Sequence, residues 1–191
     1  MALLPFGEAS ENMNIVELLL KDHEKVKMLF REFESASGPT SKQQIAQQAM
    51  TELETHALVE ENVFYPAVRE DWPEVERSIN ESFEEHHVMK LLIGELKDMS
   101  PRDERFEAKF TVMAENVKHH IKEEEAELFA KARTGRLDLA ELGKELTAAK
   151  ASIQANPKKK KTKATPEGKR TKGQVAAKRQ TVRKSKKRTA A

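Results

Sequence analysis

Apolar positions recur every three or four residues through most of this chain, the spacing that lines one face of an α-helix. The first stripe is Ile15, Leu18, Leu19, Val26, Leu29, Phe30 and Phe33, with His23 inside it, and Asn12 or Asn14 stands where an N-cap belongs. Gly38-Pro39, within Ser35 to Thr40, closes that helix, and Ser41-Lys-Gln-Gln44 has the spacing of a capping box opening the next. The second stripe carries Ile45, Ala49, Leu53, His56, Glu60 and Val63, and Pro66 is expected to kink the helix near its end. Asp71-Trp72-Pro73 interrupts the pattern, with Pro73 suited to a first helical position.

The third stripe is Ile79, Phe83, His86, Met89, Ile93 and Leu96. Ser100-Pro101 is expected to end that helix and cap the fourth, whose face holds Phe106, Phe110, Met113, Val117, His120, Glu124 and Leu128. Gly135 should stop it, and Leu137 to about Ile153 reads as a short fifth helix packed across the others. The pattern predicts an all-α fold, an antiparallel up-down four-helix bundle with a fifth helix added.

Charge divides the chain more sharply than its net value of +2 suggests. From Pro157 to Ala191 there are 15 Lys and Arg against one acid, Glu167, whereas the first 156 residues hold 19 basic and 31 acidic residues. The expected organisation is an N-terminal extension over 1–13, the bundle over 14–153 and a disordered basic tail over 154–191. Without cysteine the chain has no disulfides, thiolate metal sites or thiol catalysis. Its first residues show no basic n-region or signal-peptide core, and no stretch approaches the roughly 20 apolar residues of a membrane helix. A cytoplasmic protein is expected.

The polar residues within the stripes carry the chemistry. His56 and Glu60, like His120 and Glu124, are four residues apart and so share a helix face. Three His-x-x-x-Glu pairs occur, His119 with Glu123 being the third, where chance supplies about one in a chain so rich in glutamate. His23 precedes His56 by 33 residues and His86 precedes His120 by 34, so the pattern is a pseudo-twofold repeat with one histidine per helix. His86 and His120 lie on the apolar stripes; His87 and His119 lie off them. A single histidine on an apolar face is usually a satisfied core residue, and glutamate runs are usually solvated. Together, however, two ionised carboxylates in an apolar core cost several kcal/mol each unless paired or coordinated. No Lys or Arg on the inner stripes of the second and fourth helices neutralises them. Imidazole with carboxylate suits iron, manganese or zinc better than a soft metal.

These residues give the sequence a resemblance to the hemerythrin-like, or HHE cation-binding, family. It spans roughly Asn14 to Ile153 through His23, His56 with Glu60 and Val-Phe-Tyr-Pro, Glu85-His86-His87, His120 with Glu124, and Leu142-Gly143. The resemblance implies an oxo- or hydroxo-bridged centre of two iron ions, with His23, His56, Glu60, His86, His120 and Glu124 as ligands and Glu60 and Glu124 as bridges. Manganese and zinc are the alternatives. One departure matters: where oxygen-carrying hemerythrins have a fifth histidine one turn after the one matching His86, this chain has Lys90. An iron position left open favours redox reaction or sensing over oxygen storage. Lys90 itself is expected to extend to solvent. The flanking residues Leu19, Val26, Leu53, Val63, Phe83, Met89, Val117 and Leu128 are apolar and admit oxygen, peroxide or nitric oxide rather than large polar substrates.

The tail resembles the lysine-rich tails of histone-like and nucleoid-associated proteins. Its candidate phosphate contacts are Lys158, Lys159, Lys160, Lys161, Lys163, Lys169, Arg170, Lys172, Lys178, Arg179, Arg183, Lys184, Lys186, Lys187 and Arg188. With no aromatic residues between them, non-specific, salt-dependent binding of DNA or RNA is expected rather than base readout. Folding back on the acidic bundle and contact with an anionic membrane surface are the alternatives. The leading expectation is a di-iron protein that binds or reduces a small oxidant near nucleic acid. If an enzyme, it is a peroxide- or nitric-oxide-scavenging oxidoreductase, cytoplasmic and nucleoid-associated. An iron or redox sensor without steady turnover, and a nucleoid-associated module using the bundle as scaffold, are the rival readings.

Overall fold

The computed structural model describes residues 13–155. The basic residues from Lys158 to Arg188, with whatever they contact, lie outside the described residues, as does most of the N-terminal extension. Helices α1 (Ile15–Ser35) and α2 (Pro39–Val59) form the first pair; α4 (Glu76–Asp98) and α5 (Phe106–Ala126) form the second. Between them α2 continues through a π-helical turn, Glu60–Phe64, into α3 (Tyr65–Asp71), and a 3-10 turn, Pro73–Val75, leads into α4. α5 continues as α6 (Leu128–Thr134), and α7 (Leu139–Ala155) closes the described chain, ending two residues inside the segment assigned to the tail. The expected all-α bundle with a fifth helix is what forms, and α7 packs on α1, α2 and the π turn.

Several boundaries differ from the sequence reading for identifiable reasons. Of the two candidate caps, Asn14 is the one used: its side chain accepts from the Glu17 amide at 3.0 Å, and Glu17 accepts from the Asn14 amide at 3.0 Å. Ser41 is not a cap. The second helix starts earlier, at Pro39, because Gly38 adopts a φ of 83° and hands the chain to a residue already fixed at a helical φ. Ser100 caps a turn rather than α5, its hydroxyl accepting from the Arg102 amide, and α5 begins only at Phe106. Gly135 does stop the fourth helix.

Pro66 acts through the turn before it. Lacking an N–H, it cannot continue the ladder, and the Tyr65 amide reaches back five residues to the Glu60 carbonyl. The Asn62 side-chain amide donates to the Leu58 carbonyl at 2.6 Å within this irregular stretch. The added residue rotates the next turn of helix, so Phe64, Tyr65 and Val68 are fully buried while Val63 is only partly so. The fourth helix has its own irregularity at the matching level: Glu127, at φ −110° and ψ −66°, separates α5 from α6.

The core is two apolar clusters with a polar layer between. One, around Phe30, Phe33, Phe106 and Phe110, fills the end bearing the α1–α2 and α4–α5 connections. The other, around Ile15, Leu19, Phe64, Tyr65 and Phe129, fills the opposite end beneath α7. His23 lies between Leu19 and Val26, and His120 between Val117 and Leu128, so the ionisable residues occupy the boundary.

Gly143 fixes how closely α7 approaches. A Cβ there would collide with the Met13 carbonyl and lie 3.1 Å from both the Asn14 carbonyl carbon and the Ile15 amide nitrogen, all backbone atoms that cannot rotate away. Gly143→Ala should therefore destabilise the fold by about 1–3 kcal/mol, the usual cost of overpacking, in denaturant unfolding. Unchanged stability would mean α7 is not seated as described.

Candidate metal centre

Each helix of the bundle delivers one histidine to the polar layer: α1 gives His23, α2 His56, α4 His86 and α5 His120, all 1–5 % exposed. Glu60, at the start of the π turn, and Glu124, one turn before the α5–α6 break, are 0 % and 2 % exposed. The structure thus brings together all six residues expected from the sequence. His119 is exposed, and its ring pairs with Glu123 at the surface; His87 is exposed as well.

The imidazoles are oriented from behind. His23 Nδ1 donates to Glu125 Oε1 at 2.9 Å and His86 Nδ1 to Glu61 Oε1 at 2.9 Å. His120 Nδ1 donates to Glu85 Oε2 at 2.7 Å, and His56 Nδ1 faces Asp22 Oδ2 at 3.4 Å. The residue before His23 or His86 supports the second histidine of the same half, and the residue after Glu60 or Glu124 supports the first histidine of the other half. A carboxylate at every Nδ1 fixes the N–H there and turns each Nε2 lone pair inward. Lysines hold three of the supports: Lys27 pairs with Glu125 at 3.2 Å, Lys90 with Glu61, and Lys150 of α7 with Asp22. Lys90 is therefore engaged in an ion pair rather than extended freely into solvent.

Inside, His23 Nε2 and His56 Nε2 are 3.0 Å apart, and His86 Nε2 and His120 Nε2 are 3.3 Å apart. Glu60 lies between the pairs, with Oε1 2.9 Å from His56 Nε2 and Oε2 3.3 Å from His86 Nε2. Glu124 Oε2 is 3.3 Å from His23 Nε2. Two clusters result: His23, His56, Glu60 and Glu124 form one, and Glu60, His86 and His120 the other, each with its donor atoms within 4.8 Å of one another. Glu60 belongs to both; Glu124 joins the first.

Despite these short distances, Glu60 Oε1 and both oxygens of Glu124 receive no hydrogen bond of usable geometry. Buried acceptors without donors are costly, and inward-facing nitrogen lone pairs only 3.0 Å apart repel, so the layer is built for a positive charge between them. Protons on His23 and His86 can supply part of that charge. Burial works against charging the imidazoles, but Glu124, Glu125 and Glu60 outweigh it and hold His23 well above the ordinary histidine value; Glu60 and Glu61 raise His86 to about 9. Burial likewise opposes ionisation of Glu60, yet His56, His23 and His86 hold its carboxyl well below the usual range. The hydrogen bond from His23 pushes Glu125 down to about 2.

Aromatic rings seal the layer from the α7 end. Phe129 stacks on His23 with centroids 5.3 Å apart, and Tyr65 stacks on His86 at 5.8 Å. The Tyr65 hydroxyl donates to Glu60 Oε2 at 3.4 Å, and burial beside Glu124 and Glu60 keeps its phenol well above the ordinary tyrosine value. Sequence reasoning missed this contact, for which the signal was the Val-Phe-Tyr-Pro run after Glu60. The expected apolar lining is also incomplete: Val63 and Phe83 are only partly buried, and an acidic cleft reaches Glu124 from the α4–α5 side.

Residues 14–132 match the model of the family described as Hemerythrin HHE cation binding domain. A curated relative, a DNA nickase from Nostoc sp., is 33 % identical over 150 residues, which are 78 % of this chain and 42 % of that protein. The chain thus spans about two-fifths of the length of this relative. A crystal structure of a Hemerythrin HHE cation binding domain-containing protein from Mycobacterium kansasii superposes with a TM-score of 0.67 at 20 % identity, covering 78 % of this chain and 91 % of that one. At that identity the likeness speaks for the fold.

A cation binds the imidazoles only in their deprotonated form, so it competes with the proton on His86. Uptake at pH 7 should release protons, and apparent affinity should fall as pH drops below about 9, where His86 gains its proton. Indicator-dye titration with a divalent cation measures this. Uptake without proton release would contradict the arrangement.

Proposed function

The chain belongs to the hemerythrin HHE cation-binding family, and from that premise we propose that its interior layer holds two iron ions and that the protein binds or reduces a small oxidant. The observation that carries this reading is the inward convergence of four Nε2 atoms on two buried carboxylates with acceptor atoms left unsatisfied. His23, His56, Glu60 and Glu124 would hold one ion; His86, His120 and Glu60 the other. Imidazole and carboxylate without thiolate suit iron, with manganese or zinc able to occupy the same donors. Bound there, iron would supply electrons and an open coordination position to oxygen, peroxide or nitric oxide.

The protein's own residues prepare that chemistry. Asp22, Glu61, Glu85 and Glu125 keep the imidazoles aligned and increase their basicity. Lys90, at the place of the fifth histidine of oxygen carriers, pairs with Glu61 and supplies no ligand, which leaves the second cluster a nitrogen short. Phe129 and Tyr65 exclude water from one side, and the Tyr65 hydroxyl donates a hydrogen bond to Glu60 Oε2.

Purified from iron-replete cells, the protein should contain close to two irons per chain and absorb in the oxo-to-iron charge-transfer region, with His56→Ala abolishing both. Colourless, iron-free protein would sink the reading. Steady consumption of peroxide or nitric oxide distinguishes an oxidoreductase from a sensor that merely changes state.

The DNA nickase relative and the +14 charge of residues 157–191 favour a second element, action at DNA in the cytoplasm or nucleoid. Lysine contacts to phosphate release counterions and give salt-dependent, sequence-independent affinity. Full-length protein should retard plasmid DNA at low salt, and truncation after residue 156 should abolish this. Retardation that survives truncation would place DNA binding on the bundle. Conversion of supercoiled to open-circular plasmid by the wild type, lost in His56→Ala, would assign nicking to the metal layer.

A further inference from the structure

The two halves of the bundle differ on one face. A step of 63 residues from α1 to α4 turns Ile15, Leu18 and Leu19 into Ser78, Glu81 and Ser82, and a step of 64 from α2 to α5 turns Val59 into Glu123. In the first half these apolar residues share a cluster with Leu146 and Ile153 of α7, which covers them. In the second half the matching face is a cleft of about 610 Å³ between α4 and α5–α6, with Ser78, Glu81, Ser82, Glu85 and Glu123 on its walls. Glu124, 2 % exposed and with neither oxygen hydrogen-bonded, also lines it.

The supporting carboxylates show the same asymmetry. Glu125, Glu61 and Asp22 are each paired with a lysine; Glu85, among the described residues, has no lysine partner. Its neighbours are instead His119 and Glu123, with one donor atom from each of the three within 4.8 Å of the others, and His119 Nε2 lies 3.1 Å from Glu123 Oε1. The cleft's carboxylates, with Glu127 among them, face one lysine, Lys131, already held by Glu74 at 3.3 Å and lying over the Trp72 ring at 4.7 Å. A positive charge is missing where the other three supports have one.

We propose that Glu85, His119 and Glu123 form a loading site for a divalent metal cation, at the mouth of the cleft through which the ion passes to Glu124 and the interior layer. The proposal rests on the reading of that layer as a metal centre. Two carboxylates and one imidazole suit Fe²⁺, Mn²⁺, Co²⁺ or Zn²⁺, and the exposure of His119 and Glu123 gives an ion that exchanges rather than stays. Glu85 serves both places, since it accepts from His120 Nδ1 with Oε2 while offering carboxylate charge to the mouth. Ser82 in the place of Leu19 keeps the passage open.

Rapid mixing of the metal-free full-length chain with Co²⁺ provides the test, because Trp72, the sole tryptophan, lines the cleft and interior cobalt has its own visible absorbance. In the wild type, Trp72 quenching should precede the interior absorbance. In the double variant His119→Ala with Glu123→Gln, both surface residues, the early quenching should vanish. Interior filling should slow roughly tenfold, the scale on which a charged funnel speeds capture, yet reach the same final cobalt content. Ser82→Leu should keep the early quenching and slow the filling. If both variants fill at the wild-type rate with wild-type quenching, the loading site is refuted. A wild-type chain that takes up no interior cobalt overturns the centre itself, so the two failures are distinct.

Discussion

Six ionisable side chains at the middle of a helical bundle must be neutralised without water. Glu60 and Glu124 have almost no solvent exposure, and no lysine or arginine reaches them from the inner faces of their own helices. Isolated burial of one such charge costs several kcal/mol, a large share of what holds a domain of this size together. Much of the structure around the layer answers this requirement. Four outer carboxylates turn the imidazoles, lysines balance three of those carboxylates, and the two helices bearing Glu60 and Glu124 depart from regular α geometry just beyond them.

Much of this was legible because helical spacing is a strong signal over long stripes. The residues on the first and fourth stripes are buried as the 3.6-residue period requires, and the choice of His86 and His120 over their neighbours came from the same period. What spacing could not show were departures from it. The π turn shifted the buried set from Val63 to Phe64 and Tyr65, and the Gly38 conformation moved the second helix start ahead of Ser41. The outer carboxylates were visible as Asp22-His23, Glu61, Glu85-His86 and Glu125, but their partners sit 25 to 102 residues away in sequence, and only the packing of helices pairs them. The acidic cleft was hidden because its residues read as an ordinary solvated face.

The internal symmetry is close enough to place the histidines and glutamates at one level and loose enough to give the two halves different surroundings. One half is covered by α7, whose Lys150 holds Asp22 beside a smaller cleft that reaches His56; the other opens onto carboxylates. A cation thus meets two inequivalent approaches to similar donors. The likeness to a longer DNA nickase indicates that this kind of bundle can stand within a larger protein, while the proposed role of the basic segment here is to reach a polyanion.

The polar layer parts the hydrophobic interior into two separate clusters, one near Phe33 and Phe110 and one near Phe64 and Phe129. If the layer holds ions as proposed, those ions would join the two clusters at mid-height, where no apolar packing does so. Melting cooperativity would then be a property the chain takes from its cargo, the two half-cores unfolding as a single unit once the proposed ions join them.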